Sequence, residues 1–536
     1  MFSNFFGFNV KKIKAKNRAC INKSKLKLNN HQIRVIERLF KHDGLLLIHS
    51  TGTGKTLSSI GISECMMDNG IVENVIVSAP RVLVENFHKE LKAYGVTDNY
   101  DNYHVNTYIK NINFIKEKKP DFIKNSLLII DEAHNLRTPI KTEKGSSQIK
   151  SGKTAREYIK LASKCKKILL LTATPLINKP HEFNNLMQMV SKSGNYMSMK
   201  KFNDTFVTPN LKKSFKENKK QLKKIKVFNA SQHKNLSAIK KGIQKFTKEI
   251  NTDYVKNNRK LMFSDKLDFY KRSIDSEFYP NSEIHNINLH MTEEYYKLYR
   301  KVEKKVIKKM GELKNFDLQG KNSSSYYISL RKYSNAIPTD GFKIDWIIKK
   351  IVENKEKGLK TLVCSQFIGA GINLLTEKLN WIGIDYSVIT GKTSTKKIPE
   401  IVKIFNSKKF GILFISKAAS EGLDLKGVRE VLLMEPFWNL NDRQQVIGRA
   451  IRFKSHFHLP KNEQKVDVYN LFLLKPESKW TLFKLNLKYF SIGDETPSVD
   501  AYLFLLAVLK QSIINVFLKD VMKYNQYKLI ENKKEE

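Results

Sequence analysis

At 536 residues the chain is too long for one compact core, so two or three domains are expected. Hydrophobic residues make up 41% and aromatics 10%, which excludes a mainly disordered chain. The formal net charge of +44 points to a polyanionic partner, nucleic acid first. Only 14 of the 96 basic residues are Arg, and Asn and Ile are also abundant. AT-biased coding raises Lys, Asn and Ile together, so the sign of the charge is a firmer guide than its size. The four cysteines, Cys20, Cys65, Cys165 and Cys364, have no metal-knuckle or redox-pair spacing. Their sparseness suits a reducing compartment. Aromatics precede the first basic run, the reverse of a secretory signal. The apolar run Ala501 to Leu509 is far short of a bilayer span. The expectation is a soluble, cytoplasmic protein with no membrane contact.

Residues 1–30 read as a basic arm. Residues 31–190 read as a first α/β domain. Apolar residues from Leu28 to Phe40 fall at helical spacing and place Gln32 one turn into a helix. A glutamine there can read adenine, because its amide both donates and accepts, although an ordinary solvated glutamine fits the residue alone as well. Leu45 to Ile48 is a buried-strand run, and Leu57 to Met67 is helix-compatible. Between them lies His49-Ser50-Thr51-Gly52-Thr53-Gly54-Lys55-Thr56, the layout of a phosphate-cradling loop. Its glycines let backbone N–H groups turn in on an anion, and the helix N-terminus adds a favourable dipole. Lys55 would reach the β- and γ-phosphates of ATP, and Thr56 would ligate Mg²⁺. The strict pattern has glycine where His49 stands.

The strand–helix rhythm repeats. Val75 to Pro80 reads as a strand and Arg81 to Tyr94 as a helix. Ser126 to Ile130 runs into Asp131-Glu132-Ala133-His134, and Lys167 to Leu171 runs into Thr172-Ala173-Thr174-Pro175. Apolar runs alternating with helices predict a parallel sheet with its ligands at the carboxyl ends of strands. There Asp131 would hold the metal and Glu132 would deprotonate the attacking water. His134 would contact either the other lobe or the Thr172–Thr174 segment.

Residues 191–335 break the rhythm: 201–260 holds 17 Lys/Arg against 4 Asp/Glu, with few strand-like runs. A basic, mostly helical insertion is expected, either covering a nucleic-acid backbone or simply solvated. A second α/β domain is expected over 336–475, with strands at Thr361–Ser365, Tyr386–Ile389, Gly411–Ile415 and Val431–Met434. Ser420, Gly422 and Asp424 follow one of these strands. Gln445, Gly448, Arg449 and Arg452 read as one helix, on which Arg449 and Arg452, three apart, share a face. Arg is scarce here, so two planar forks side by side suit a phosphate gathering charge. Residues 476–536 read as a helical extension.

Taken together, Gln32, Gly52-x-Gly54-Lys55-Thr56, Asp131-Glu132-Ala133-His134, Thr172-Ala173-Thr174-Pro175, Ser420-x-Gly422-x-Asp424 and Gln445-x-x-Gly448-Arg449-x-x-Arg452 resemble the ordered motifs of superfamily-2 helicases and translocases. Leu171 to Asn178 and Leu330 to Asn335 are similar to the Swi/Snf-like branch. Ile447 to His456, followed by Leu459-Pro460, resembles the cytoplasmic large DNA virus group. That group includes the poxvirus nucleoside triphosphate phosphohydrolase I and the early-transcription-factor ATPase subunit, and yeast cytoplasmic linear plasmids carry similar helicases. The resemblance implies two recombinase-A-like (RecA-like) P-loop lobes working as an ATP- and Mg-dependent motor on DNA. It implies ATP on Thr51 to Thr56, with Gln32, Gly422 and Asp424 also in contact. Arg449 and Arg452 would act from the second lobe. His134, Thr172, Thr174, Ser420, Gln445 and Asp424 would couple hydrolysis to nucleic-acid grip. An RNA helicase, or a transcription-factor subunit that works with RNA polymerase and does not unwind, are the alternatives.

Overall fold

The structure, a computed structural model, describes residues 20–138, 141–142, 149–176, 180–195, 197–198, 201–202, 226–227, 266–270, 278–311, 321–337, 341–394, 396–417, 422–476, 483–484 and 498–522. The chain divides into two compact units, 1–208 with 252–274 and 514–536, and 209–251 with 275–513. Among the described residues, no helix is long and apolar enough to cross a membrane.

The first unit is built in chain order from α1 (Asn30–Lys41), β1 (Gly44–His49), α2 (Lys55–Asp68), β2 (Asn74–Ala79), α3 (Arg81–Tyr94), β3 (Tyr103–Thr107), α4 (Tyr108–Lys116), β4 (Ser126–Ile130), α5 (Lys153–Lys164), β5 (Lys167–Thr172), α6 (Phe183–Val190) and β6 (Leu267–Tyr270). The six strands order as β3-β2-β4-β5-β1-β6, and every pairing is parallel. Strands β1, β4 and β5 are buried along their whole length, which is why they read as unbroken apolar runs. Val35, Ile36 and Leu39 of α1 pack with Ile60, Ile62 and Met66 of α2 on Leu45, Leu47, Val75 and Val77 of the sheet. Part of the expected arm joins this core: Leu28 is buried and Lys25 N–H donates to the Tyr94 carbonyl at 2.9 Å. Residues 1–19 lie outside the described ones.

The cysteines correct the sequence reading. Cys20 and Cys65 form a disulfide across 45 residues of sequence, with Cα atoms 5.1 Å apart. Spacing gave no sign of it, because the pair meets only when the chain before α1 lies against α2. Sparse cysteines therefore no longer argue for a reducing compartment.

The second unit runs β7 (Asn281–His290), α7 (Glu293–Gly311), α8 (Lys321–Asn335), α9 (Phe342–Glu356), β8 (Lys360–Ser365), α10 (Asn373–Trp381), β9 (Ser387–Ile389), α11 (Ile398–Ser407), β10 (Gly411–Ser416), β11 (Val428–Leu433), α12 (Leu440–Ala450), β12 (Lys465–Leu474) and α13 (Val499–Met522), whose residues from Ile514 on are counted with the first unit. Its sheet orders as β7-β12-β11-β8-β10-β9, again parallel throughout. The strand-poor stretch 191–335 therefore contributes β6 to the first sheet and the ten-residue β7 to the second. Most of the basic run 201–260 lies outside the described residues. Tyr502, Leu503 and Leu506 of α13 pack with Tyr295, Tyr299 and Tyr327, as a docked helical extension requires.

Candidate active site

In the first unit the polar motifs collect at the carboxyl ends of β1, β4 and β5. Gly52 and Gly54 hold φ of 77° and 75°, left-handed values that glycine takes without strain. A Cβ on Gly54 would also lie 2.5 Å from Gln32 Nε2. Lys55 opens α2, and its Nζ donates to the carbonyls of His49 and Ser50 at 3.2 and 3.3 Å. Thr56 is half-buried beside it. Thr53 closes the loop with a 2.8 Å hydroxyl bond to the Ser50 carbonyl. Thr51 is half-buried.

Gln32 is buried, with 1% exposure, so the solvated-glutamine alternative falls away. Its Oε1 accepts from Asn29 N–H at 2.8 Å, and its Nε2 donates to the Gly54 carbonyl at 3.2 Å. The same amide thus caps α1 and touches the loop.

At the end of β4, Asp131 is buried and accepts from Glu132 N–H at 2.8 Å. Burial, reinforced by the Glu132 charge, pushes the Asp131 carboxyl up to about 7. Glu132 sits in the left-handed region at φ 45°. A non-glycine residue there is uncommon. His134 Nδ1 lies 3.2 Å from Glu132 Oε2 and 3.1 Å from Thr172 Oγ1. Thr174 N–H donates to that same Thr172 hydroxyl at 3.1 Å. One end of this chain is the acidic turn and the other is the end of β5, so His134 contacts the Thr172–Thr174 segment.

Two participants escaped the sequence reading. The Tyr108 phenol donates to the Asp131 carbonyl at 2.6 Å and lies 3.2 Å from the Glu132 carbonyl. Its only sequence signal is its position directly after β3, at the same edge of the sheet. Asp268 on β6 accepts from His49 at 2.8 Å, across more than two hundred residues that give no local signal.

In the second unit, Asn439 caps α12 by accepting from Asp442 N–H at 2.8 Å. Gln445 is half-buried and Arg449 buried on that helix. Arg452 does not continue it, contrary to the shared-face expectation. The helix stops at Ala450 and Ile451 is extended. Arg452 N–H turns to Ser455 Oγ at 3.2 Å, while its Nε donates to the Gly448 carbonyl at 3.2 Å. Arg452 also reaches the exposed Asp424 at 3.6 Å. Gly422 holds φ of 77°. Ser420 lies outside the described residues. Arg443, the third arginine here, is occupied in the core: its Nε donates to Asn470 at 2.8 Å.

Comparison with known proteins gives two family matches. Residues 25–177 match the type III restriction enzyme res subunit, and residues 343–454 match the helicase conserved C-terminal domain. A putative ATP-dependent RNA helicase of Acanthamoeba polyphaga mimivirus is 30% identical over 510 residues, covering 93% of this chain and 96% of its own length. An uncharacterized killer plasmid helicase of Kluyveromyces lactis is 23% identical over 453 residues, covering 79% of this chain and 60% of its own length. Nucleoside triphosphatase I of Choristoneura fumiferana entomopoxvirus is 23% identical over 552 residues, covering 93% of this chain and 78% of its own length.

Proposed function

Because the chain belongs to the superfamily-2 helicases, we propose that it is a DNA-stimulated ATPase that moves along its strand in the transcription or replication of a virus or virus-like element. It is an ATP-dependent nucleic-acid motor and a hydrolase. The cytoplasmic setting rests on the viral and plasmid relatives.

The observation that carries the reading is the convergence of Gln32, Lys55, Asp131 and the His134–Thr172 pair along one edge of one sheet. In this reading the loop N–H groups of 51–56 and Lys55 hold the phosphates, and Gln32 reads the base. Thr56 and Asp131 would hold Mg²⁺. The residues fit a divalent cation: a buried carboxyl pushed up to about 7 beside a second acid is short of positive charge. Bound there, the ion neutralises phosphate charge. Glu132 takes a proton from water as the water oxygen bonds to the γ-phosphorus. The bond to the bridging oxygen breaks, leaving ADP and phosphate. Arg449 and Arg452 stabilise the charge on the transferred group, and losing such an arginine costs about 10³–10⁵ in rate. His134, Thr172 and Thr174 relay the state of the acidic turn to the end of β5, and Ser420, Gly422, Asp424 and Gln445 serve nucleotide contact and nucleic-acid grip in the second unit.

RNA is the second reading, favoured by the name of the mimivirus relative. Steady-state ATP hydrolysis with single-stranded DNA, duplex DNA or RNA, each at two salt concentrations, separates the two. DNA should stimulate more than RNA at both. A steep salt slope would report many phosphate contacts. Stimulation by RNA alone would replace the DNA reading.

A further inference from the structure

Behind the phosphate loop stands a buried carboxylate that the catalytic reading does not use. β6 pairs along the free edge of β1, with His49 opposite Tyr270 and Ser50 N–H donating to the Tyr270 carbonyl at 3.0 Å. Asp268, opposite Leu47 and so two strand positions behind the His49 level, is fully buried. Its Oδ1 accepts from His49 Nε2 and from Arg34 Nη2, both at 2.8 Å. Its Oδ2 accepts from Arg38 Nη1 at 2.7 Å. That same Nη1 reaches the Leu267 carbonyl at 2.7 Å.

Burial alone would raise the Asp268 carboxyl. The His49 hydrogen bond and the Arg34 and Arg38 charges outweigh it and hold the group well below the usual carboxylate range. His49, by contrast, is kept neutral by burial, so it serves Asp268 as a hydrogen-bond donor and not as a third cation.

The three donors are not scattered. His49 is the last residue of β1, and its carbonyl receives the Lys55 ammonium. It stands where the strict loop pattern has glycine. Arg34 and Arg38 lie on α1, the helix that carries Gln32 against Gly54. His31 on that helix bonds the Thr53 carbonyl at 3.0 Å and stacks on Tyr270 of β6, with centroids 3.9 Å apart and planes 5° from parallel. One carboxylate therefore ties together the strand, the helix and the extra strand that bound the loop. Apolar packing would serve stability as well or better, whereas a satisfied buried charge fixes register.

We propose that Asp268 is a positioning residue for nucleotide binding: by drawing His49, Arg34 and Arg38 onto β6, it sets the phosphate loop and the Gln32 helix in their ATP-receiving arrangement. This makes the nucleotide site depend on a strand that enters the sheet only after the 191–265 stretch. The inference rests on the loop being the ATP site.

The test is titration of the full chain with a fluorescent ATP analogue, alongside DNA affinity without nucleotide. Three variants are compared. His49→Leu removes the donor without stranding a charge, His49→Gln keeps an amide donor at similar reach, and Asp268→Asn removes the carboxylate charge. His49→Leu and Asp268→Asn should weaken analogue binding by about tenfold, the size of one lost hydrogen bond to a charged group. His49→Gln should recover most of that loss, and DNA affinity should change by less than about twofold in all three, far below that loss. If Asp268→Asn fails to fold, the His49 pair decides. Parental binding by His49→Leu would overturn the proposal, and so would His49→Gln binding no better than His49→Leu. Lys55→Ala in the same titration reports on the ATP site itself: undiminished binding there would sink the ATPase reading and this proposal with it, whereas lost binding there together with parental binding by His49→Leu would overturn the proposal alone.

Discussion

The Tyr108 phenol lies 2.6 Å from the Asp131 carbonyl, at the point where the backbone enters the left-handed turn at Glu132. Behind it, Tyr158 donates to the Tyr108 carbonyl at 2.9 Å. The acidic turn is thus held through its backbone carbonyls, in addition to the contacts its two carboxylates make. Tyr108→Phe removes one hydroxyl and no volume. Loss of about 1 kcal/mol of turn stabilisation should lower kcat roughly fivefold with KM for ATP little changed. Steady-state kinetics checks this, and a rise in KM with constant kcat would contradict it.

The arginines around α12 should separate by role. Arg443 is committed to Asn470, and burial pulls its guanidinium down to about 10. Arg443→Ala should lower the melting temperature, as expected for a buried polar network deprived of one partner. Arg449→Ala and Arg452→Ala should instead lower kcat by about 10³ or more while nucleotide affinity changes little. Melting curves and single-turnover hydrolysis on the three proteins read both outcomes.

His456 gives a stability term with a defined sign. It is 1% exposed, its Nε2 donates to the Val428 carbonyl at 2.7 Å, and its Nδ1 accepts from Ser455 at 2.9 Å. Burial lowers its pKa to about 4, against 6.5 for the free side chain. Between those values the unfolded chain takes up the proton and the folded one does not, so the contribution is full above about 6.5 and is lost as pH falls toward 4. The melting temperature should drop between pH 7 and pH 5, and more shallowly in His456→Gln. Equal slopes in the two proteins would refute this account.

The Cys20–Cys65 bond closes a 45-residue separation between the segment before α1 and the last turn of α2. A bond of that span typically contributes about 2–4 kcal/mol. Reduction should therefore lower the unfolding midpoint in denaturant, and Cys20→Ser should reproduce the shift without reductant. Titration of free thiols under denaturing conditions should find two, Cys165 and Cys364, before reduction and four after it.

Legibility in the sequence followed burial. Leu45 to Ile48, Ser126 to Ile130 and Lys167 to Leu171 could be read as strands because a parallel sheet covered on both faces needs unbroken apolar runs. β7 could not: it is an edge strand of alternating Asn, Glu, Ile and His, half of it exposed, so no period marks it. β6 hides a fully buried aspartate whose partners lie some 230 residues away. The end of α12 was overrun because the glycine and two arginines fit a helical spacing, while the stop depends on Ser455 capturing the Arg452 N–H. In the first unit, the residues that the motif spacing singled out, Gln32, Lys55, Asp131 and Thr172, do gather at one end of the sheet. The ones that only hold them in place, Tyr108 and Asp268, speak through backbone carbonyls and buried charge, which spacing does not encode.

The central claim is that the loop at Lys55 and the acidic turn at Glu132 form one ATP-hydrolysing site driven by nucleic acid. Phosphate release and nucleotide binding measured together, with DNA present, on the parent, Lys55→Ala and Glu132→Gln proteins test it most directly. The account predicts no binding in Lys55→Ala and retained binding without turnover in Glu132→Gln. Hydrolysis at the parental rate in Glu132→Gln, or none above background in the parent with any nucleic acid, would contradict it.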